Sequence, residues 1–337
     1  MSEPVETPDR RRSRRRRRAS IALIAVTVIG AIGLWNFEAL LEQVLRPPAA
    51  RQPATRGPDT RGPDTRGPET RVPVDPERAA ARLADGREFA AKRARNIALA
   101  AIGQPLPGTP DLSRLNERLA EHGVKRGSAV LMRIFKREHE LELWLARDGR
   151  FHRFATYPIC RWSGGLGPKF QTGDHQAPEG FYTVSAAQMN ANSRWFRSFN
   201  LGFPNTFDRA HGRTGSALMV HGGCSSVGCY AMTNAVMGEI WDLLTAAFQS
   251  GQSRIQVQAF PFRMTDEAMA GATGHPDAVF WRNLKRGHDK FEAKHVPPVV
   301  AVCHRNYRFE TASIEAGLTP PIKNSCRSKR GLAGVSK

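Results

Sequence analysis

The sequence predicts a mainly β domain of the α+β class with a few helices, preceded by an N-terminal membrane helix and a disordered linker. Three observations predict it: an arginine cluster followed by an apolar run, a Gly-Pro repeat, and alternating hydrophobic residues that begin at Ala129. With 337 residues, of which 40% are hydrophobic, the chain is long enough for one or two domains with a core.

The N-terminus has the features of a membrane anchor. Eight arginines lie between Arg10 and Arg18, and a mostly apolar run extends from Ala19 to Trp35. By the positive-inside rule the arginines stay in the cytoplasm and the following chain is exported. The run is short for a spanning helix, so a cleaved signal peptide and a nucleic-acid arm compete with this interpretation. We predict a basic cytoplasmic segment over residues 1–18 and a signal-anchor over residues 19–40, because no small-residue cleavage site follows directly.

Residues 41–76 are predicted to form a disordered spacer. The pentad Thr55-Arg-Gly-Pro-Asp59 occurs three times in succession with one Asp-to-Glu change, and its Gly-Pro pairs oppose both helix and strand pairing. A helical segment over residues 77–122 follows. Its first helix should end at Gly103, and its second should span Asp111 to His122.

The residues from 123 to 262 are predicted to form a mostly β domain with few helices. Leu141, Leu143 and Leu145 alternate with polar or aromatic neighbours as in a half-buried strand, and Asp148-Gly149 is typical of a hairpin turn. Strands are also expected over Ala129–Phe135, Phe151–Ile159, Phe181–Ser185, Ala217–Val220 and Ile255–Ala259, with a helix after Thr233. An extension over residues 263–318 should pack on this domain through a helix near Trp281 and a strand near Val299–Cys303, before a disordered basic tail over residues 319–337.

Charge and cysteine content constrain the partners. The net charge of +19 favours an anionic partner, although an arginine-rich composition without functional meaning is an equal alternative. The five cysteines are Cys160, Cys224, Cys229, Cys303 and Cys326. An odd number in an exported protein leaves at least one thiol unpaired within the chain, and that thiol is a candidate for chemistry.

The candidate chemistry lies in the loop from His221 to Thr233. An imidazole at a strand end and the Cys229 thiol eight residues later can meet across one tight, glycine-rich loop. A neighbouring base activates a thiol, and backbone N–H groups near Gly228 and Cys229 are candidates for holding an oxyanion. Three alternatives stay open: a core histidine, a Cys224–Cys229 disulfide, or zinc bound by His211, His221, Cys224 and Cys229. The spacing of the two cysteines is longer than zinc sites favour.

Two further pairs of residues, outside the proposed chemistry, are interpreted mainly as structural. Cys160 is predicted to be a core side chain, and Cys224 a small buried side chain or a partner of Cys229 in a regulatory disulfide. Asp174 and Glu179 are predicted to cap turns in a Gly-Pro loop rather than to act as a carboxylate pair.

The Ser226-Val-Gly-Cys229 element after His221-Gly222 resembles the L,D-transpeptidase catalytic domain, also called the YkuD domain, in its shorter-loop, murein-acting branch. Other stretches from Leu112 to Phe309 resemble that branch in the same order: Tyr157-Pro-Ile-Cys160, Gly167-Pro-Lys169, Gly173-Asp174, Ala177-Pro-Glu-Gly180, Ser198-Phe-Asn-Leu-Gly-Phe-Pro204, Asp208-Arg209 and Gly212-Arg-Thr-Gly215. The linked order is more specific than any one motif.

The resemblance implies a β-rich sandwich- or barrel-like catalytic fold and a cysteine acyl-enzyme. It implies that Cys229 is the nucleophile, His221 the base and Gly222 the group whose backbone oxygen orients the imidazole, while Ser226 matches the family serine. The chain departs from many members at Val227, where they have histidine, and at Ala231, where they have arginine. Substrate binding is therefore assigned to Ser226, Gly228, Lys169, Arg209 and Arg213, although the three cationic residues are equally explained as solvated or salt-bridged.

The implied function is murein transpeptidation at the diamino acid carbonyl of a stem peptide. A hydrolase or amidase cleaving the same linkages or releasing murein-attached protein is an alternative. A tethered, non-catalytic murein-binding protein and a zinc-bound structural module are alternatives from other classes. No metal and no organic cofactor is expected. The expected partners are murein stem peptides and the inner membrane, with no nucleic acid, and the catalytic domain is expected in the periplasm.

Overall fold

The computed structural model describes residues 75–311 and 319–326. The predicted cytoplasmic segment, the signal-anchor and the spacer up to residue 74 lie outside the described residues. Within the described ranges, no helix combines the length and the apolar character that crossing a membrane requires.

The described chain is a mixed α/β protein in which seven α-helices surround three sheets. The helices are α1 (Pro76–Glu88), α2 (Ala90–Ala101), α3 (Leu115–Glu121), α4 (Thr206–Ala210), α5 (Asn234–Gln249), α6 (Asp266–Gly271) and α7 (Ala278–Lys294). The strands are β1 (Val130–Phe135), β2 (Glu140–Arg147), β3 (Arg150–Pro158), β4 (Arg161–Trp162), β5 (Gly180–Val184), β6 (Met189–Asn190), β7 (Ser198–Asn200), β8 (Met219–His221), β9 (Tyr230–Ala231), β10 (Ile255–Phe260), β11 (Val299–Cys303), β12 (Asn306–Glu310) and β13 (Lys323–Asn324). Helices are thus more numerous than the sequence predicts.

The first sheet has the strand order β3-β2-β1-β10-β5. Its β2–β3 pair is antiparallel and turns at Asp148-Gly149, where both residues have positive φ, which confirms the predicted hairpin. The prediction that β2 is half-buried is wrong, because Trp144 is only 7% exposed and packs edge-on against Phe291 of α7. Helix α7 therefore covers the face of the sheet that the alternation assigned to solvent.

The second sheet carries the catalytic candidates and has the order β4-β9-β8-β7-β6. Its strands are two or three residues long, and β8 and β9 are parallel. Helix α5 follows β9 and buries Val236, Ile240, Leu243, Leu244 and Ala247, as its apolar spacing predicts. Because α5 begins shortly after β9 and buries its apolar face, it anchors β9 to the core.

The third sheet, β12-β11-β13, corrects the prediction of a disordered tail from Thr319. Strand β13 pairs in parallel with Ala301 and Val302, and Cys326 forms a disulfide with Cys303. Residues 312–318 and 327–337 lie outside the described residues. The basic composition of the tail did not reveal that a covalent bond holds its first part.

The predicted first helix is divided in two at Phe89, which is 4% exposed. The Phe89 ring lies 5.4 Å from the Trp162 ring and 5.5 Å from the His139 ring, measured between centroids. Arg93 of α2 places its guanidinium 4.4 Å from the Trp162 ring centroid. These contacts pack the helical segment against β4, beside the candidate site.

Residues 163–179 form a long loop that is held by buried polar groups. Glu179 is fully buried and accepts hydrogen bonds from Lys136 Nζ at 2.9 Å, Gly167 N–H at 2.7 Å and Trp281 Nε1–H at 2.8 Å. The turn-capping prediction is therefore wrong for Glu179. It is confirmed for Asp174, whose Oδ2 accepts from the N–H groups of Phe170 and Gln171.

The burial of His139 should make the fold acid-sensitive. Burial lowers the pKa of His139 from 6.5 to about 4, so the unfolded chain takes up a proton before the folded chain does as the pH falls. Its contribution to stability is present above pH 6.5 and is lost between pH 6.5 and pH 4. We expect this residue alone to lower the free energy of unfolding by about 2 kcal/mol between pH 7.5 and pH 5.

Urea unfolding of wild type and His139→Gln at both pH values measures this contribution, because a side chain that does not titrate removes its share of the pH dependence. His152→Gln, on strand β3, is the matched control and should keep the wild-type difference. An equal loss of stability in wild type and His139→Gln would refute the assignment.

Candidate active site

His221 lies on β8, and Cys229 directly precedes the neighbouring parallel strand β9. The register pairs Val220 with Tyr230 and His221 with Ala231, so Cys229 directly precedes β9 while His221 ends β8. Because alternate residues of an extended chain share a face, Cys229 lies on the same side as Ala231, the neighbour of His221. The glycine-rich loop leads from the end of β8 back to the start of β9, where Cys229 Sγ accepts a hydrogen bond from Met219 N–H.

The His221 imidazole is oriented by its own neighbour. Its Nδ1 lies 2.5 Å from the carbonyl oxygen of Gly222, and the residue is 3% exposed. In the neutral tautomer with hydrogen on Nδ1, that nitrogen donates to Gly222 and Nε2 remains as the acceptor. This geometry is the one expected for Gly222 as the orienting group, and its catalytic role stays a prediction.

Close packing explains why residues 222 and 223 are glycines. A Cβ at Gly222 would lie 2.6 Å from Asn234 Oδ1 and 2.9 Å from the Phe196 carbonyl oxygen. A Cβ at Gly223, whose φ is +91°, would lie 2.9 Å from the Trp195 ring. The same Trp195 ring stacks on the His221 imidazole, with centroids 6.1 Å apart and an interplanar angle of 28°.

The Cys229 thiol is free and half-buried. Its Sγ accepts a hydrogen bond from Met219 N–H at 3.4 Å and donates to the Ala217 carbonyl oxygen at 3.7 Å. Among the described hydrogen bonds of Cys229, none joins Sγ to His221. The resting thiol therefore points its proton to the backbone and not to the imidazole.

Burial favours the neutral form of both the Cys229 thiol and the His221 imidazole. It raises the pKa of the Cys229 thiol, an effect that the Met219 N–H bond and the charge of Lys169 only partly oppose. Burial also lowers the pKa of His221, while the Gly222 carbonyl opposes that shift. Burial thus favours a neutral thiol and a neutral imidazole in the resting site.

A disulfide between Cys160 and Cys224 fixes the start of the loop. This bond overturns the predicted alternatives in which Cys224 pairs with Cys229, joins a four-residue zinc site or is merely a small buried side chain. Cys160 is fully buried, as predicted, and is also covalently bonded. In the described part of the chain, Cys229 is the free cysteine.

Ser226 and Gly228 act on the nucleophile loop itself. Ser226 Oγ donates to the Cys229 carbonyl oxygen at 2.6 Å, and Gly228 N–H donates to Ser163 Oγ at 2.5 Å. The Gly228 N–H is therefore already engaged, contrary to the expectation that it is available for an oxyanion. Sequence reasoning missed Ser163, because nothing within its own stretch signals a contact with residues more than 60 positions away.

The three cationic candidates are engaged with other groups of the protein. Lys169 is 4% exposed and forms an ion pair with Asp174, and Arg213 is 6% exposed and forms one with Asp208 at 2.7 Å. Arg209 is exposed and donates to the Pro204 carbonyl oxygen. The salt-bridged alternative thus describes Lys169 and Arg213, whose side chains are engaged within the fold.

Exposed hydrophobic side chains flank the site. Trp195 and Phe196 are 42% and 41% exposed, and Val227, within the nucleophile loop, is 70% exposed. We call these three residues the apolar rim. Arg194 and Arg197 place their guanidinium groups 5.8 Å and 5.3 Å from the centroids of the Trp195 and Phe196 rings, so the rim carries positive charge.

Comparisons with known proteins give consistent results. The family model for the YkuD L,D-transpeptidase catalytic domain matches residues 132–290. The protein named "Putative L,D-transpeptidase YafK" of Escherichia coli strain K12 is 45% identical over 181 residues, which cover 54% of this chain and 74% of the relative. The same protein of Escherichia coli O157:H7 matches equally.

Solved structures match at lower similarity. The crystal structure of the helical cell shape determining protein Pgp2 from Campylobacter jejuni is 20% identical, with a TM-score of 0.33, over 52% of this chain and 65% of that chain. The structure of Bd1075 from Bdellovibrio bacteriovorus is 18% identical, with a TM-score of 0.29, over 49% and 58% of the two chains.

The Cys160–Cys224 disulfide should contribute more to stability than Cys303–Cys326. The two bonds join residues 64 and 23 positions apart, and the entropy removed from the unfolded chain grows with loop length. We expect Cys160→Ala/Cys224→Ala to lower the free energy of unfolding by about 4 kcal/mol and Cys303→Ala/Cys326→Ala by about 3 kcal/mol. Urea unfolding of both variants tests the order, and a reversed order would contradict it.

Proposed function

The chain belongs to the L,D-transpeptidase family, and on that premise we propose that it is a cysteine acyltransferase acting on murein stem peptides at the cell envelope. In this proposal residues 123–262 form the catalytic domain, residues 77–122 and 263–318 pack around it, and the N-terminal region tethers it to the inner membrane. Cys229 is the nucleophile, His221 the general base and Gly222 the orienting group.

The observation that carries the proposal is the placement of an oriented imidazole on β8 and of a free thiol directly before β9, the neighbouring strand. Of the five cysteines, four are paired in disulfides and Cys229 is left unpaired. His221 lies beside it with Nδ1 held by the Gly222 carbonyl oxygen. A murein-binding protein without catalysis has no need of this arrangement, which supports an enzyme over a tether.

The first chemical step combines proton transfer with attack. In the proposed step the Cys229 thiol leaves the Ala217 carbonyl oxygen by rotation about its Cα–Cβ bond and turns toward Nε2 of His221. As Sγ bonds to the carbonyl carbon at the L-centre of the diamino acid, its proton passes to Nε2. Because both groups rest neutral, the charges arise only as the substrate reacts.

The remaining steps return the site to its resting state. When the tetrahedral intermediate collapses, the C–N bond breaks, and the leaving D-alanine amine takes the proton from the imidazolium. An acceptor amine or water then attacks the thioester and loses a proton to Nε2, and the released sulfur recovers that proton. Transpeptidation and hydrolysis differ only in the acceptor, and the partial exposure of Cys229 supports access for either.

The oxyanion is assigned to the N–H of Cys229. Gly228 N–H is engaged by Ser163 Oγ, and Cys229 lies outside the strands that pair on either side. The N–H of the nucleophile residue stands next to the attacked carbonyl, as an oxyanion donor must. Of the two N–H groups that the sequence suggested for this role, the proposal keeps that of Cys229 and leaves out that of Gly228.

The apolar rim is the proposed contact for the substrate. Lys169 and Arg213 are engaged in buried ion pairs, whereas the rim exposes aromatic faces beside Arg194 and Arg197. Arg197 also forms an ion pair with Asp242 at 3.3 Å, so Arg194 is the rim charge proposed to attract the carboxylates of stem peptides. Trp195 therefore serves as both a wall for the imidazole and a surface for the substrate.

Removing the sulfur should abolish turnover without unfolding the protein. We expect Cys229→Ala, which deletes one half-buried atom, to form no acyl-enzyme and to release no D-alanine from murein tetrapeptides. Mass spectrometry of tetrapeptide fragments incubated with the protein measures loss of D-alanine and distinguishes new crosslinks from hydrolysis. Val279→Ala, which trims an exposed valine on α7, should keep the acyl-enzyme. Full turnover by Cys229→Ala would refute the mechanism.

The pH dependence of turnover should follow His221. Its pKa lies below 6.5 because of burial, so activity should persist at pH 6.5 and fall only at lower pH, as the imidazole gains a proton and can no longer accept one. Burial raises the pKa of Cys229, so the plateau should extend through neutral pH. D-alanine release from tetrapeptide between pH 5 and pH 9 provides the profile.

His211→Gln is the control for that profile. Burial also lowers the pKa of His211, but its Nδ1 bonds to the Phe207 carbonyl oxygen and takes no part in the proposed mechanism. The control should keep the wild-type acid limb, whereas His221→Gln should lose activity at every pH. An acid limb with its midpoint above pH 6.5 would exclude His221 as the base in its buried state.

A further inference from the structure

We propose that Ser163 is a positioning residue for the nucleophile: with Ser226 it forms a hydrogen-bond chain that holds the backbone on both sides of the Cys229 amide. The proposal rests on the proposed function of Cys229. It concerns a residue that lies more than 60 positions earlier in the sequence, outside the His221–Thr233 loop.

Counting protons gives the chain one direction. Ser226 Oγ donates its only hydrogen to the Cys229 carbonyl oxygen at 2.6 Å, so in its contact with Ser163 Oγ at 3.3 Å it must accept. Ser163 therefore donates to Ser226 and accepts from Gly228 N–H at 2.5 Å. The chain runs from Gly228 N–H through both hydroxyl groups to the Cys229 carbonyl oxygen, and every hydrogen is used.

The hydrogen-bond chain holds the peptide groups on either side of the amide between residues 228 and 229. The Gly228 N–H belongs to the peptide before the 228–229 amide, and the Cys229 carbonyl belongs to the peptide after it. The amide between them carries the N–H assigned to the oxyanion. Gly228 has a φ of +111°, a conformation that only glycine adopts readily, so its orientation depends on such external bonds.

Ser163 itself is held rigidly against the loop. The preceding residues Arg161 and Trp162 form β4, which pairs with Ala231 and Tyr230 of β9, and Cys160 is bonded to Cys224. The Ser163 carbonyl oxygen accepts from Ala177 N–H at 3.0 Å. The segment 160–163 therefore contacts the nucleophile loop through a disulfide, a strand pairing and a hydroxyl chain, which suits a role in fixing reactive geometry.

Loss of the Ser163 hydroxyl should impair catalysis more than substrate binding. Ser163→Ala leaves Gly228 N–H without its acceptor and Ser226 Oγ without its donor, so the amide of Cys229 is no longer held. We expect kcat for D-alanine release to fall about 10- to 100-fold, with KM changed less than about threefold. Ser163→Thr, which keeps the hydroxyl, should restore kcat to within about threefold of wild type.

Ser225→Ala is the matched control. Ser225 lies in the same loop, and its hydroxyl takes no part in the chain that links Ser163, Ser226 and Gly228. This variant should keep the wild-type kcat. Thermal unfolding of all variants separates local from global effects, and wild-type kcat in a folded Ser163→Ala would overturn the proposal.

A double-mutant cycle tests whether the two hydroxyls act as one unit. If they do, Ser226→Ala alone should reproduce most of the loss, and Ser163→Ala/Ser226→Ala should lose little more than either single variant. If the kcat losses of the two single variants multiply in the double variant, the proposal that the two hydroxyls act as one unit is wrong. Acylation of Cys229 by a carbapenem, followed by intact-protein mass spectrometry, repeats the comparison without murein.

The two measurements distinguish the possible failures. If wild type acts on neither murein nor the carbapenem, the proposed function fails. If wild type is active and Ser163→Ala is equally fast in both reactions, only the role of Ser163 fails. Slower acylation by Ser163→Ala in the carbapenem reaction supports the positioning role whatever the natural substrate is.

Discussion

The buried ion pair between Lys136 and Glu179 holds the architecture around the candidate site. Both side chains are fully buried, and Glu179 also binds Gly167 N–H and the indole N–H of Trp281. Burial lowers the pKa of Lys136, and the carboxylate of Glu179 opposes that shift. Leaving one such charge without its partner typically costs about 3–5 kcal/mol. The pair therefore joins the end of β1, the start of β5, helix α7 and the loop of residues 163–179 in one arrangement.

That loop also contacts the segments next to Cys229. Its residue Pro178 accepts a hydrogen bond from the Tyr230 hydroxyl at 2.6 Å, and Ala177 N–H binds the Ser163 carbonyl oxygen. Tyr230 directly follows Cys229. The loop that the buried ion pair holds therefore contacts both the residue after Cys229 and the segment that contains Ser163.

The sequence revealed the features that rest on local periodicity and composition. The β2–β3 hairpin follows from Asp148-Gly149, and helix α5 follows from its apolar spacing, because both depend on residues close together in the chain. The proximity of His221 and Cys229 follows from one tight loop. The Cys160–Cys224 bond, the Ser163 contacts and the burial of Trp144 depend instead on elements brought together by the fold. Likewise, arginine and lysine side chains do not disclose in sequence whether they face solvent or, like Arg213 and Lys169, complete a buried ion pair.

The two disulfides also make the maturation of this chain depend on where it is. Thiols remain reduced in the bacterial cytosol and oxidise in the periplasm. A newly made chain therefore has Cys224 as a second thiol within the nucleophile loop, and the loop lacks its covalent attachment to Cys160. Oxidation pairs Cys224 with Cys160 and attaches the loop covalently in a single event. The chain thus reaches the state in which Cys229 is its one unpaired cysteine only where thiols oxidise.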